Sequence, residues 1–418
     1  MQTEQRIPRR ISQWTLRLAT GQAATSEAIP LNAGVGAIAT AKLSHHASLA
    51  GTSVGLAMLS SVAALFVAGR VSDRHGRIPV LTGGLALLTL GAITCALAIV
   101  LQVYPLLVLG TILFGCGQGP AMMHRAAAAD LYPVAQRAHG VGLVASAGAI
   151  GSIVGPVLAS GLVLLAAAGG VREAAAPWLL VPLTALPALL LVRGIAVDPR
   201  DVARDLDAYF PGSEPEPEHG APRSRRELLG LRPARAAITA AALIQAAMVG
   251  VMGVTSVVLN DNGLGAAVIG LFLSAHFLGM FGLAAPLGRV ADRVGRRRTI
   301  IAGVLITAVG ATGTSLFGHS LVILPFFFLL GFGWCASWVA GTTMLADITT
   351  PQERGRLTAT NDQIVSLCGA TAVITAGVVL DRFGFPVVGI GLTLLLLLAL
   401  IPIVRLRETA IGEYADAP

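Results

Sequence analysis

Twelve apolar runs, each about as long as a bilayer core is thick, dominate this chain. They lie at residues 15–39, 47–69, 78–101, 104–128, 137–165 and 174–193, and again at 234–259, 266–289, 299–318, 321–346, 358–381 and 385–405. A spanning helix needs about 20 predominantly apolar residues. Hydrocarbon offers no water to backbone groups, so only segments that satisfy their own hydrogen bonds can cross it. Charged residues make up only 12% of the chain and hydrophobic residues 55%, with a mean hydropathy of +0.76. An ordinary soluble domain carries about 25% charged residues. A soluble enzyme and a disordered chain are both excluded. The weak alternating strands of a membrane barrel, about 10 residues each, do not occur. The expected fold class is an all-α polytopic membrane protein with twelve transmembrane helices.

The runs fall into six and six. Residues 1–193 form an N-terminal six-helix bundle, 194–233 a cytoplasmic central loop, 234–405 a C-terminal six-helix bundle and 406–418 a tail. The loop holds Pro211-Gly-Ser-Glu-Pro-Glu-Pro-Glu218, a composition that cannot build a packed core. Arg223, Arg225 and Arg226 follow it and are expected to anchor to lipid headgroups. The net charge of +7 is the balance of 28 Arg and one Lys, Lys42, against 22 acidic residues. With the N-terminus in the cytoplasm, 26 of these 29 cations fall on the cytoplasmic side. Only Lys42, Arg172 and Arg382 fall outside. The positive-inside rule therefore predicts cytoplasmic N- and C-termini in a multi-pass inner-membrane protein. The charge is topology rather than nucleic-acid binding. No compact apolar segment follows Arg6, Arg9 and Arg10 before Gln22, Ser26 and Glu27, so the start reads as a cytoplasmic tail and not as a signal peptide.

Run one is unusually polar. Thr20, Gln22, Thr25, Ser26, Glu27 and Asn32 spread around the helix at 100° per residue, which suits other helices or a wet cavity better than lipid. Cys95, Cys116, Cys335 and Cys368 lie in apolar runs without CxxC spacing, so they read as inert buried thiols; no metal site is expected.

The two halves echo each other. Gly69-Arg-Val-Ser-Asp-Arg-His-Gly-Arg77 matches Gly288-Arg-Val-Ala-Asp-Arg-Val-Gly-Arg296, with Asp73 and Asp292 219 residues apart. Asp130-Leu-Tyr-Pro-Val-Ala-Gln-Arg137 matches Asp347-Ile-Thr-Thr-Pro-Gln-Glu-Arg354 at an offset of 217. Nearly equal offsets imply a duplicated six-helix unit. On these residues the chain resembles the major facilitator superfamily (MFS), whose GxxxDRxGR signature between helices 2 and 3 occurs here twice. Gly142, Gly151, Gly155 and Pro156 in run five resemble the helix-5 motif of the drug:proton antiporter branch. That pattern closes in Gly-Gly; here Ala159 and Ser160 stand there. The branch's helix-4 arginine is absent, Thr111 preceding Gly115 at that spacing, which puts the usual helix-4 proton transfer in doubt.

The resemblance implies two pseudo-symmetric bundles working by alternating access. It implies that Gly69, Asp73, Arg74, Gly76, Arg77 and Asp130 form a conformational latch. Gly288, Asp292, Arg293, Gly295, Arg296 and Asp347 are the counterpart, with Gly69 and Gly288 allowing close helix approach. The alternative is that these arginines only fix topology. The helix-5 motif either seals an antiporter against leakage or is ordinary small-residue packing. Cavity geometry in the family nominates Gln118, His124, Gln245, Trp334 and Trp338. The two glutamines either orient a polar ligand or bond neighbouring helices. Trp334 and Trp338, four apart, share a face and either stack on an aromatic or cationic ligand or pack against lipid and protein.

Three residues are candidates for proton coupling. Glu27 lies midway along run one, where an insertion scale assigns a charge about 2.5–3.5 kcal/mol. Its role is either functional or that of a paired structural group. His276 in run eight is either an interhelical donor or a proton carrier. Asp362, like Arg125, lies near a cytoplasmic helix end, where gate and interface charges sit. No Walker A, GxSxG, HExxH or GxGxxG in a βαβ context occurs, so neither an ATP-driven pump nor a membrane enzyme is supported.

The function expected is secondary active transport, as proton-coupled export of a small molecule. The alternatives are symport or facilitated uptake of a small metabolite, and a non-transporting membrane sensor. The expected partners are a small-molecule substrate, protons and the lipid bilayer, with no nucleic acid and no cofactor; the chain is expected to act as a monomer. Reporters fused after residues 75, 215 and 410 should read cytoplasmic, and one near 170 external. An external reading at 215 would remove the six-plus-six arrangement.

Overall fold

Helices make up every regular element among the described residues. The computed structural model describes residues 7–133, 136–168, 175–211, 223–318 and 321–406, without the side chains of Asp73, Ala138, Ala266, Pro351 and Gln352. Arg6, Arg172, the stretch 212–222 and the tail from 407 lie outside the described residues. In chain order the long helices are α1 (Arg9–Leu31), α2 (Thr52–His75), α3 (Arg77–Leu101), α4 (Tyr104–Ala121), α5 (Arg137–Ala168) and α6 (Leu180–Arg193). Then come α7 (Arg232–Asp261), α8 (Ala266–Phe277), α9 (Arg296–Leu316), α10 (Ile323–Asp347), α11 (Pro351–Phe383) and α12 (Phe385–Leu397).

Among the described residues, ten spans are long and apolar enough to cross a membrane; a pair bent by 41°, Ala267–Gly282 and Ala284–Val294, makes an eleventh if it is one span. The remaining run is α1. It continues through one π-helical turn, Asn32–Gly36, into Ala37–Ser44. Its polar residues lower its hydropathy, yet Gln22, Thr25, Ser26, Glu27 and Asn32 are all buried. Most are spent inside the bundle: Thr25 donates to the Gly21 carbonyl at 2.8 Å and Gln22 donates to the Ser26 hydroxyl at 2.9 Å.

Two compact units emerge: Met1–Asn32 with Leu59–Pro217, and Ala33–Met58 with Glu218–Pro418. The division differs from one at 193 and 234 because the segment 33–58 packs with α7 and α11. Gly51 and Gly55 lie one turn apart at the start of α2. A Cβ at Gly55 would stand 3.1 Å from the Ala370 carbonyl oxygen, and one at Gly377 would stand 2.6 Å from that of Ser48. Backbone therefore meets backbone there, which only glycine allows.

Each unit is built on one intimate helix pair. In the first unit, Gly84 of α3 faces Gly117 of α4, where added Cβ atoms would come within 3.0 and 2.6 Å of the opposite carbonyl oxygens. In the second, Gly303 of α9 faces Gly333 of α10, at 2.7 Å each way. Gly84 and Gly303 are 219 residues apart, the same offset as the signature loops.

The central loop departs from the linker reading. Its first arm carries the short helix Pro199–Arg204, with Val202 and Phe210 fully buried in the first unit. Its second arm carries the helix Arg225–Gly230, held by a Ser224–Glu227 capping box, with Leu228 buried in the second unit. Arg223 does not reach for headgroups. Its Nε and Nη2 donate to the Glu353 carboxylate at 2.9 and 2.8 Å, and Nη2 also donates to the Ile348 carbonyl. These bonds hold the guanidinium above its already high ordinary pKa, against the opposing effect of desolvation. Glu353 is buried, whereas Arg223 stays about a quarter exposed. Hydrogen bonds to charged groups contribute about 1.5–3 kcal/mol, and the released Arg223 regains some water. Glu353→Gln should lower the apparent Tm in detergent by a few degrees. An unchanged Tm would mean that the second arm is held by Leu228 alone.

Candidate functional site

The polar interior of the first unit centres on Glu27. Its side chain is buried, and the Thr184 hydroxyl of α6 donates to its Oε1. Among the described residues no cation pairs with it. On the α5 side, a Cβ at Gly155 would stand 2.7 Å from the Glu27 Cβ and 3.2 Å from its carbonyl oxygen. One turn earlier, Gly151 lies against the Ala23 backbone, and Ser152 donates to the Ser26 carbonyl at 3.1 Å. Gly151 and Gly155 thus make a groove that receives α1 at Glu27. Gly142, the first glycine of the helix-5 motif, has nothing within 4 Å of an added Cβ and takes no part in this groove. Pro156 is buried within an unbroken α5, and Ser160 donates to its carbonyl at 2.7 Å.

The other first-unit candidates separate. Gln118 is half-buried on α4. His124 is fully buried beyond the α4 break, with Nδ1 on the Ala121 carbonyl and its ring edge against Gly21 of α1. It occupies a helix contact rather than an open wall.

In the second unit three candidates come together. Trp334 Nε1 donates to Gln245 Oε1 at 2.7 Å, joining α10 to α7. The Trp334 and Trp338 rings stack, with centroids 5.6 Å apart and planes 9° from parallel. Phe281 stands edge-on to Trp334. His276 is buried elsewhere: Nδ1 lies 2.8 Å from the Phe327 carbonyl oxygen, and the imidazole stacks on the Phe327 ring. That carbonyl can only accept, so Nδ1 carries the proton and Nε2 is a bare acceptor with no partner among the described residues. Asp362 is exposed on α11, and Asn361 donates to it at 3.1 Å.

The signature loops assemble charge clusters at the helix ends. Arg77 pairs with Asp130 at 2.8 Å and donates to the Ser72 hydroxyl. Arg296 pairs with Asp292 at 2.6 Å and Asp347 at 3.3 Å. Arg74 and Arg293 are exposed, and the Asp73 side chain lies outside the described residues. The signature glycines have different duties from those expected. An added Cβ would meet nothing within 4 Å at Gly69 and only Val339 at 3.8 Å at Gly288. The demanding positions are Gly76 and Gly295, with φ of 97° and 103°, where the chain turns from one helix into the next.

Sequence reasoning missed Asp198. Its carboxylate accepts from the Arg77 and Ile78 N–H groups at 2.9 Å each and from Arg200 N–H at 3.0 Å. One side chain therefore caps the starts of two helices and presses on Gly76. The Asp198-Pro199 pair is a helix-start signal; its reach to α3 has no local signature. Thr184 had no signal at all.

A membrane protein with ten or eleven apolar spans among its described residues, a duplicated signature and polar residues inside each unit belongs to the class of secondary transporters. The family model of the Major Facilitator Superfamily matches residues 23–255 and 236–413. The chain belongs to that superfamily, whose members are transporters and not enzymes. YdeG of Bacillus subtilis (strain 168), an uncharacterized MFS-type transporter, is 26% identical over 348 residues, covering 82% of this chain and 80% of its own. The riboflavin transporter RfnT of Brucella anthropi is 26% identical over 408 residues, covering 96% and 97%. The crystal structure of a D-xylose-proton symporter superposes with a TM-score of 0.77 at 18% identity, covering 95% of this chain and 98% of that one.

The Arg77–Asp130 pair sets a bound on any latch. Both side chains are about a quarter exposed, and such a pair contributes about 1 kcal/mol or less. Asp130→Asn should shift the ratio of inward to outward cysteine accessibility by no more than about fivefold, with insertion intact. No shift, together with unchanged transport, would leave the arginines as topology anchors.

Proposed function

We propose that this protein is a proton-coupled exporter of a small molecule, close in working to the drug:proton antiporter branch. It would lie in the inner membrane with both termini in the cytoplasm, its bundles 1–193 and 234–405 joined by the loop 194–233 and followed by the tail 406–418. It would act as a monomer. The observation that carries this reading is the contact between Glu27 and Gly155. The acidic residue of run one and the antiporter-like glycines of α5, noted separately in the sequence, meet in one groove.

Among the described residues, this buried carboxyl group takes one hydroxyl donor and pairs with no cation. It is suited to taking up and releasing a proton as its surroundings alternate between dry and wet. Substrate and proton would then bind alternately, which is the simplest exchange. His276 and Asp362 are the next candidates for the proton. The charge clusters at Arg77 and Arg296 supply contacts that differ between states, so they can bias a two-state equilibrium. The helix-5 groove would seal the first unit around the proton site.

A second reading is uptake of a small metabolite. Its support is the near full-length similarity to RfnT, a riboflavin transporter. Direction is decided by which imposed gradient drives flux.

In proteoliposomes, initial rates for a panel of amphipathic compounds and riboflavin should depend on an imposed pH gradient. Glu27→Gln, which cannot release a proton, should bring gradient-driven transport to background while exchange at equal pH survives. If Glu27→Gln keeps the parent's gradient dependence, the proton rides elsewhere. If no compound moves under any gradient, the sensor reading replaces transport.

A further inference from the structure

The second unit carries an aromatic cluster tied to one polar side chain. Trp334 is committed: its N–H goes to Gln245, one face to Trp338, and Phe281 meets it edge-on. An indole bonded to an amide on a neighbouring helix faces the bundle interior and not lipid. Trp338 is half-buried, and no aromatic ring but Trp334 stacks on it among the described residues. Gln245 accepts from Trp334 through its oxygen, and its Nε2 carries two further N–H donors. Beside it, α11 carries Gly369, where an added Cβ would lie 3.1 Å from Gln245 Cγ and 3.7 Å from Nε2. Met58 Cε would stand 3.0 Å from that Cβ, so α11 packs closely against Gln245 and the Met58 side chain there.

Charges keep their distance along the helices. Counting about 1.5 Å of rise per residue, Arg235 lies about 15 Å from Gln245, Asp347 about 13 Å from Trp338, and Asp362 about 10 Å from Gly369. His276, the titratable residue of α8, faces Phe327.

We propose that the second unit recognises its substrate through an uncharged planar conjugated ring with a hydrogen-bond acceptor on its edge. The ring lies on the face of Trp338 turned away from Trp334, and its edge accepts from Gln245 Nε2. Trp334 sets the plane of Trp338. This rests on the reading of the chain as a transporter with an internal binding cavity, but not on proton coupling. A sugar would be a poor occupant, since it needs many donors and acceptors where this cluster offers one amide and one aromatic face.

The test is equilibrium binding to purified full-length protein in nanodiscs, with no gradient. Riboflavin serves as the planar probe with edge carbonyls, and D-xylose as the non-planar one. Riboflavin should bind saturably, with its fluorescence quenched by ring stacking. Trp338→Ala should weaken binding about tenfold and relieve the quench, and Trp338→Phe should recover most of the affinity. Gln245→Leu should weaken binding with the quench retained at saturation. The proposal is overturned if riboflavin does not bind, if Trp338→Ala binds with unchanged affinity and quench, or if D-xylose displaces riboflavin at equal concentration. Binding that follows this pattern, beside transport that ignores the pH gradient, would sink the proton-coupled reading and leave this one standing.

Discussion

In a bilayer the hydrophobic effect does not press one helix onto another, because lipid tails are as apolar as leucine. Association then depends on dispersion between surfaces that can approach closely. The architecture of this protein follows from that constraint. Gly84 against Gly117 and Gly303 against Gly333 bring backbones together in the two strongest helix pairs. Gly151 and Gly155 do the same for α5 and α1, and Gly55 and Gly377 for α2 and α11. Larger residues at these positions would separate helices that have no other reason to stay together.

Close backbone contact also decides where polar groups can sit. A helix that lies in a glycine groove has little room for water, so its polar side chains must find partners within a turn or on the next helix. Thr25 and Gln22 bond within α1, Ser152 bonds across to it, and Glu27 takes its one donor from α6. The full charges sit where helices end. There the guanidinium groups of Arg77, Arg223 and Arg296 meet carboxylates within reach of solvent. The division is the one expected of a medium in which an unpaired ion costs several kcal/mol at the centre and little at the edge.

Much of this was legible in the sequence. Hydropathy marked the runs, and the paired signature loops marked the duplication and the family. The positions of Gly84 and Gly303 carry the same offset, yet glycines in apolar runs are too common to stand out without the contacts. Gly76 and Gly295 looked like motif letters beside Gly69 and Gly288, and only the backbone angles assign them the turn. The central loop was misjudged because a polar composition hides its anchors. Val202, Phe210 and Leu228 are single apolar residues with no period to reveal them. Asp198 and Thr184 act on partners more than 100 residues away, beyond any local pattern. His124 is buried against Gly21 of α1, and depth in the sequence does not tell which side of a helix a residue occupies.

The repeats keep a common frame and differ in what they place inside it. Asp130 and Asp347 match, but the later position of the same loop is Gln136 in one half and Glu353 in the other. In the second copy that carboxylate holds the Arg223 guanidinium of the central loop. The start of α3 is capped by Asp198, whereas at the start of α9 Arg297 donates to the carbonyls of Ile403 and Val404. Inside, the first unit carries a carboxyl group among hydroxyls and small residues, and the second a neutral aromatic cluster. A proton site needs small polar neighbours that tolerate a change of charge. A site for a flat apolar ring needs broad rigid faces without charge. On the proposed readings, a duplicated fold lets the first unit carry the proton site and the second the ring site.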